Sequence, residues 1–393
     1  MNLALVHDWV ITIGGAEHCL EVFHELWPEA PLYTLVYQEE SVRRLGFHPG
    51  QVRASFLQRF PRAQRWYRKY LPFYPLAVES FDLSGYEVIL SSSHAAAKGA
   101  LVRSDQFHVC YCHTPVRYAW DLTYRYLKES GLDRGLKGLI ARSILHYVRS
   151  WDTLTANRVD HFIANSHYTA RRIWRAYRRE ATVIYPPVDV ERFRVREKKE
   201  DFFLFVSRLV PYKKADLVVA AFTELGLPLC VIGDGPQFEA CRKMVGQNVE
   251  FLGYQHDATV ADLMGRARAL IFAAEEDFGI VLVEAQACGT PVIAYGKGGV
   301  CETVVAADGV NWEEATGLFF HEQTVDALAA AVRQFLAWEG RFRCEVLRRN
   351  AERFGRERFK QEIGAFVTER WREFAAHPAL CGAGDSTCAS RNG

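Results

Sequence analysis

The chain has 393 residues, 49 % apolar and 24 % charged, a balance that excludes disordered, collagen-like and coiled-coil chains. Lysine and arginine number 48 against 47 acidic residues, so no global charge draws the molecule to nucleic acid. At roughly 150 residues per domain, this length predicts two or three domains.

The start, Met1-Asn2-Leu3-Ala4-Leu5-Val6-His7-Asp8, reads as a short buried strand. It lacks the basic start and cleavage site of a signal peptide. No apolar run reaches the ~18–20 residues that a membrane-spanning helix needs. The ten cysteines have no framework spacing, which suits a reducing cytosol. Strands are predicted at Leu3–Val6, Leu32–Val36, Glu87–Leu90, His108–Cys112, His161–Ala164 and Thr182–Tyr185. After Tyr185-Pro186-Pro187-Val188-Asp189 the pattern restarts, with strands at Phe202–Val206, Leu229–Ile232, Val249–Leu252, Ala269–Phe272 and Pro291–Ala294. Their nearly continuous apolar character fits parallel strands covered on both faces. Amphipathic helices between them, such as Ala215–Leu225 and Val325–Leu336, predict doubly wound α/β layers.

The two prolines end regular structure and divide the chain into two Rossmann-like domains, 1–187 and 188–357. A C-terminal helix, about 358–378, is expected to rejoin the first domain, and the Gly/Ser/Cys-rich tail 379–393 to be flexible. Ligands of such sheets bind beyond the carboxyl ends of strands, and two facing sheets would make a cleft.

The most informative stretch is Glu275-Glu276-Asp277-Phe278-Gly279-Ile280-Val281-Leu282-Val283-Glu284-Ala285, between the strand ending at Phe272 and a helix capped near Gly289. Backbone N–H groups at a helix start suit an anionic or hydroxyl-rich ligand. Over eight helical residues, ~12 Å, Glu276 and Glu284 could accept hydrogen bonds from two sugars of one extended ligand. As a pair alone they read more readily as solvated helix acids. Arg208 and Lys213, in Ser207-Arg208-Leu209-Val210-Pro211-Tyr212-Lys213-Lys214, follow the first strand of the second domain. Arginine offers a rigid fork to phosphate oxygens and lysine a compact charge. Gly14-Gly15 follows the first strand, and the missing Cβ lets backbone approach a pyrophosphate or acceptor closely. His113 ends the strand His108–Cys112 before Pro115. Cys110-x-Cys112-His113 could also be metal-ligating, but no second ligand pair accompanies it and buried core cysteines are the simpler reading.

With these residues in place, the chain resembles the retaining glycosyltransferases of family 4, which have the GT-B fold and are marked by an E-x7-E motif and an Arg/Lys pair at this spacing. Val231-Ile232-Gly233-Asp234-Gly235-Pro236, Phe251-Leu252-Gly253 and Ala287-Cys288-Gly289-Thr290-Pro291-Val292-Ile293-Ala294 follow the family's order. His7-Asp8-Trp9, Gly14-Gly15-Ala16-Glu17, His113-Thr114-Pro115, Arg149-Ser150-Trp151-Asp152, Ala164-Asn165-Ser166, Tyr185-Pro186-Pro187-Val188-Asp189 and Gly296-Lys297-Gly298-Gly299 are similar to its O-antigen, GDP-mannose-using branch. The resemblance implies an acceptor-side first domain and a nucleotide-sugar-binding second domain. It implies that Arg208 and Lys213 neutralise the donor diphosphate and that Glu284 binds the ribose. Glu276, with the N–H groups of Phe278, Gly279 and Ile280, would hold the transferred sugar, and His113 would sit near its C6 hydroxyl. The chain has no D-x-D sequence, and the resemblance implies a reaction without cofactor or metal that retains anomeric configuration. The leaving phosphate would accept the acceptor's proton.

Between Glu40 and Glu79 no acid occurs, while eight cations do. Aromatic residues interleave with them, and Arg65, Trp66, Tyr67, Arg68 and Lys69 form the densest part. An amphipathic segment on an anionic bilayer fits this pattern; a solvated helix with a buried core face is the plainer alternative. The expected enzyme moves a hexose, mannose from GDP-mannose first, onto a lipid-linked or polysaccharide acceptor, working in the cytoplasm against the inner face of the membrane. A UDP-sugar donor, an epimerase or phosphorylase of the same fold, and a non-catalytic sugar-nucleotide-binding protein are the alternatives.

Overall fold

The computed structural model describes residues 1–377; the tail expected at 379–393 lies outside them. The chain divides into two compact units. One contains residues 1–165, 169–184 and the described residues from Phe359 on, and the other residues 166–168 and 185–358.

The first unit is built on a seven-stranded parallel sheet. Its strands are β1 (Leu3–Val10), β2 (Leu32–Tyr37), β3 (Val52–Ala54), β4 (Val88–Ser93), β5 (Phe107–Cys112), β6 (His161–Ala164) and β7 (Ala181–Val183), in the order β3-β2-β1-β4-β5-β6-β7. Side chains alternate across a strand, and the core follows that alternation. Leu3 and Leu5 of β1, with Val88 and Leu90 of β4, enter one apolar cluster. Ala4, Val6 and Ile89 enter another. Covered on both faces, such strands can be apolar at nearly every position.

The second unit repeats the plan with β8 (Phe203–Val206), β9 (Leu229–Ile232), β10 (Val249–Gly253), β11 (Leu270–Phe272), β12 (Val292–Tyr295) and β13 (Gly317–Phe320), ordered β10-β9-β8-β11-β12-β13. Leu204 packs into one cluster, Phe203 and Phe205 into the other. Two doubly wound parallel sheets are therefore present, as the sequence predicts. Strand order reverses between β1 and β4 in one sheet and between β8 and β11 in the other. In sheets of this kind, ligands bind at such switch points, beyond the carboxyl ends of the strands.

The sequence reading omits β3 and β13, and β1 runs on to Val10 through His7, Asp8 and Trp9. The final helix, Arg356–Ala375, buries Phe359, Ile363 and Val367 in the first unit's core. Glu40–Glu79 does not form one amphipathic segment. It is a short strand, three helices of six, four and six residues (Glu39–Arg44, Ala63–Trp66 and Tyr74–Glu79), and 3₁₀ turns. Pro61, Pro72 and Pro75 interrupt any longer helix, and Leu57, Tyr67 and Tyr74 turn into the core.

Candidate functional site

In the second unit, β8 and β11 are neighbours, paired at Leu204 and Leu270. Their following loops therefore emerge side by side. The loop after β8 enters a 3₁₀ turn, Pro211–Lys213, before the helix Ala215–Leu225. The loop after β11 leads to the helix Ile280–Ala287, capped by Gly279 at φ 86°. This adjacency brings Lys213 Nζ to 2.7 Å from Glu276 Oε1, both side chains largely buried. The Lys213 ammonium also lies 5.6 Å above the Phe272 ring. Arg208 stands on the same β8 loop with its side chain exposed.

A third loop, after β12, braces the acid. Gly298 at φ +89° pairs with Glu276 in an isolated bridge, and the Gly299 N–H donates to the Glu276 carbonyl at 2.8 Å. A Cβ on Gly298 would lie 2.5 Å from that carbonyl oxygen, and one on Gly299 would overlap the Asp277 carbonyl. Only glycines allow the two loops to pack this closely. Phe278 is buried against Tyr185 and Phe354, which anchors the loop from below.

Glu284 lies within the helix Ile280–Ala287, whereas Glu276 precedes it in the loop. The two acids do not lie on one eight-residue helical span, because the helix begins only at Ile280. Burial pushes the Glu284 carboxyl up to about 7, against the pull of Arg192, whose guanidinium is 3.9 Å away.

In the first unit, a polar network occupies the β1–β4 switch point and the adjoining end of β5. Asp8 of β1 accepts hydrogen bonds from the backbone N–H groups of His94, Ala95, Ala96 and Ala97, at 2.6–2.8 Å. It fixes the loop after β4 and holds the His94 ring at 3.2 Å. Gly14 caps the helix Gly15–Leu26, and its N–H donates to Glu17 Oε2 at 2.9 Å. Burial would raise the Glu17 carboxyl, but the facing His7 imidazole, with His94 beside it, outweighs this and holds the group below its ordinary value.

His7 Nε2 is 3.6 Å from Glu17 Oε1, and His7 Nδ1 is 2.9 Å from Ser92 Oγ. Ser92 Oγ is in turn 2.9 Å from His113 Nε2. With His7 Nε2–H turned toward Glu17, Nδ1 accepts the Ser92 hydroxyl proton and Ser92 accepts from His113 Nε2–H; these proton positions are assigned from the order of partners. Burial holds the His113 imidazole well below its ordinary value, with His94 and His7 adding to the effect. A neutral His113 of this tautomer offers an accepting lone pair at Nδ1. Cys110 and Cys112 point away from this network into an apolar cluster with Ala156, Phe162 and Ile173.

Arg65, Arg68 and Lys69 are exposed, while Tyr67 is buried. Tyr67 packs 5.0 Å from the Trp9 ring and is not a surface residue. Trp66 carries two cations on its ring, Arg62 and Lys69, each at 4.8 Å.

Two family models match the chain in succession, "Glycosyltransferase Family 4" over residues 13–192 and "Glycosyl transferases group 1" over residues 188–356. The chain belongs to glycosyltransferase family 4. An uncharacterised glycosyltransferase of Methanocaldococcus jannaschii is 33 % identical over 157 residues, 39 % of this chain and 44 % of that protein. A D-inositol 3-phosphate glycosyltransferase of Mycobacterium bovis is 29 % identical over 253 residues, 55 % of this chain and 52 % of the relative. The chain thus spans about half the length of these curated relatives. Among solved structures, sucrose-phosphate synthase from Thermosynechococcus elongatus superposes with a TM-score of 0.72 at 17 % identity, covering 95 % of this chain and all of that one. Anabaena HepE in complex with UDP-glucose gives 0.68 at 19 % identity, covering 94 % of this chain and 100 % of its own. These likenesses fix the fold as GT-B.

In this family 4 chain the structure brings Lys213 and Glu276 together, and sets Arg208 and Glu284 on the flanking loop and helix. Gly14, Gly15 and His113 belong to the other unit. Sequence reasoning missed Ser92, His94 and Arg192. A signal for the first two existed, since Ser91-Ser92-Ser93-His94 is a polar run closing an apolar strand. Arg192 had none, being one of several cations in a charged stretch.

Proposed function

We propose that the chain is a retaining, metal-independent hexosyltransferase. It takes a sugar from a nucleoside diphosphate, with mannose from GDP-mannose as the first donor, and passes it to a lipid-linked or polysaccharide acceptor of surface-glycan synthesis. The observation that carries this reading is the Lys213–Glu276 pair beside the glycine-braced loop, at the switch point of the second sheet. A sugar diphosphate needs cations where charge grows on the leaving group and acceptors for its hydroxyls. Lys213 and the exposed Arg208 supply the first. Glu276, with the N–H groups of Phe278, Gly279 and Ile280, supplies the second, and Glu284 receives the ribose hydroxyls.

In the reaction the anomeric carbon–phosphate oxygen bond breaks. The acceptor oxygen bonds to the same face of that carbon, and its proton passes to the leaving phosphate. His113, with its Nδ1 lone pair, accepts a hydrogen bond from a donor-sugar hydroxyl and moves no proton. A UDP-sugar is the second reading for the donor, supported by the fold shared with HepE, which was solved with UDP-glucose. No helix among the described residues is long and apolar enough to cross a membrane. A lipid-linked acceptor therefore calls for peripheral attachment, which we place at the inner face of the membrane.

Calorimetric titration with GDP-mannose, UDP-glucose and UDP-GlcNAc identifies base and sugar, and product analysis with a lipid acceptor separates transfer from epimerisation or binding alone. Lys213→Ala is expected to lower kcat about 10²–10³-fold, the scale of one lost charge-stabilising donor, with an unchanged melting curve. Normal turnover by Lys213→Ala overturns the diphosphate assignment. EDTA is expected to leave the rate unaltered, and an EDTA-abolished rate overturns metal independence.

A further inference from the structure

The longest helix of the first unit, Gly135–Thr155, has two apolar faces. One is ordinary: Leu145 and Val148 are buried, with Val148 in a small cluster with Val116 and Ala119. The opposite face is exposed. Leu136, Leu139, Ile140, Tyr147 and Leu154 are each about half exposed or more, Leu136 reaching 73 %. At ~100° per residue, Leu136, Ile140, Tyr147 and Leu154 fall within ~40° of one line along the helix. A soluble surface helix normally turns polar residues outward. Here the outward stripe is leucine, isoleucine and tyrosine, and Tyr124 of the preceding helix is 86 % exposed.

Exposed charge along this helix has one sign, its single acid, Asp152, being fully buried. From Gly135 to Trp151 the sequence contains Lys137, Arg142 and Arg149 and no acid. Lys137 and Arg142 are exposed and lie on opposite flanks of the apolar stripe, with Arg134 just before the helix. Leu71, from the turn that carries Arg68 and Lys69, packs into the same small cluster as Ile144 and Val148. The turn that carries Arg68 and Lys69 therefore adjoins the helix.

An apolar stripe flanked by cations along a helix is the pattern of a segment lying in an anionic lipid interface, with leucines below the headgroups and cations among them. A second copy of the chain fits poorly, because stripe-to-stripe packing sets like charges against each other on both flanks. An apolar protein groove would bury the stripe but leave the flanking cations without a reason. We infer that the helix Gly135–Thr155 is the surface by which this protein lies on a membrane rich in anionic lipid. This goes beyond the proposed transfer reaction and does not depend on it, because binding to a bilayer is read without turnover.

Sedimentation of the full chain with vesicles of phosphatidylcholine, alone or mixed with phosphatidylglycerol, tests it. The chain is expected to bind the mixed vesicles and not the neutral ones. The triple variant Leu136→Ser, Leu139→Ser, Ile140→Ser is expected to weaken binding about a hundred-fold. Lys137→Glu with Arg142→Glu is expected to weaken it about ten-fold or more and to flatten its salt dependence. All five positions are exposed, and melting curves establish that the variants fold. Three results would overturn the inference: no binding to the mixed vesicles; binding untouched by both variants but lost in Arg65→Glu with Lys69→Glu; or no vesicle binding together with self-association that the triple variant abolishes.

Discussion

Glu284 illustrates how burial sets a single side chain's chemistry. Removal from water pushes its carboxyl up to about 7 while Arg192 pulls the other way. In the ribose-binding role proposed for it, the group must be ionised to accept two hydroxyls. Nucleotide-sugar affinity should therefore rise as pH climbs through about 7 and level off above it, with a proton released on binding at lower pH. A nucleotide sugar is the right probe, because its diphosphate diester does not titrate in this range. Glu284→Gln should bind more weakly and show no such slope; a flat wild-type profile would remove Glu284 from the donor site. For folding the sign is opposite to the usual acid. The folded chain holds an extra proton between the ordinary value of 4.5 and about 7, so this group's contribution to stability falls as pH rises across that window.

The loop after β12 is the element that places the acid. Gly299→Ala would drive a methyl into the Asp277 carbonyl and force the 275–279 loop to move. Overpacking of this kind typically costs 1–3 kcal/mol, so donor affinity should fall roughly ten- to hundred-fold while the core remains folded. Gly340→Ala is the control, because a Cβ there meets nothing within 4 Å, and its donor affinity should equal the wild type's. Calorimetry on the two variants separates a loop effect from a general loss of glycine. The sequence shows elements better than it shows their adjacency. Uninterrupted apolar runs such as Leu229–Ile232 announce buried parallel strands. β3 was illegible because Val52–Ala54 is three residues long and carries the exposed Arg53 at the sheet's edge. The basic aromatic stretch misled for a related reason, since composition shows which residues interleave but not that prolines fold Tyr67 inward. Glu276 and Lys213 were recognisable as residues, yet their ion pair depends on β8 and β11 lying side by side, and strand order is a tertiary property. The outward stripe of Gly135–Thr155 was equally hidden, because an apolar helical row looks the same whether it meets core or solvent.

At the scale of the whole molecule, the chain crosses from one unit to the other and returns. Each unit has its own apolar clusters, but the first is completed only by the final helix. Phe359 is fully buried there, with its ring 5.9 Å from Phe23 and 5.6 Å from Tyr111. Replacement by alanine removes a large side chain from a core that can collapse only in part, typically a loss of about 3–5 kcal/mol. For a unit of roughly 150–250 residues each kcal/mol lowers the midpoint by ~2–4 °C, so Phe359→Ala should lower the first unit's melting by roughly 6–20 °C. The second unit, whose clusters contain none of these rings, should melt as before. A nucleotide sugar bound there should raise its transition in wild type and variant alike. Differential scanning calorimetry with and without donor resolves the two. Should Phe359→Ala lower the donor-sensitive transition instead, the final helix would belong energetically to the second unit, and the first unit's core would close without it.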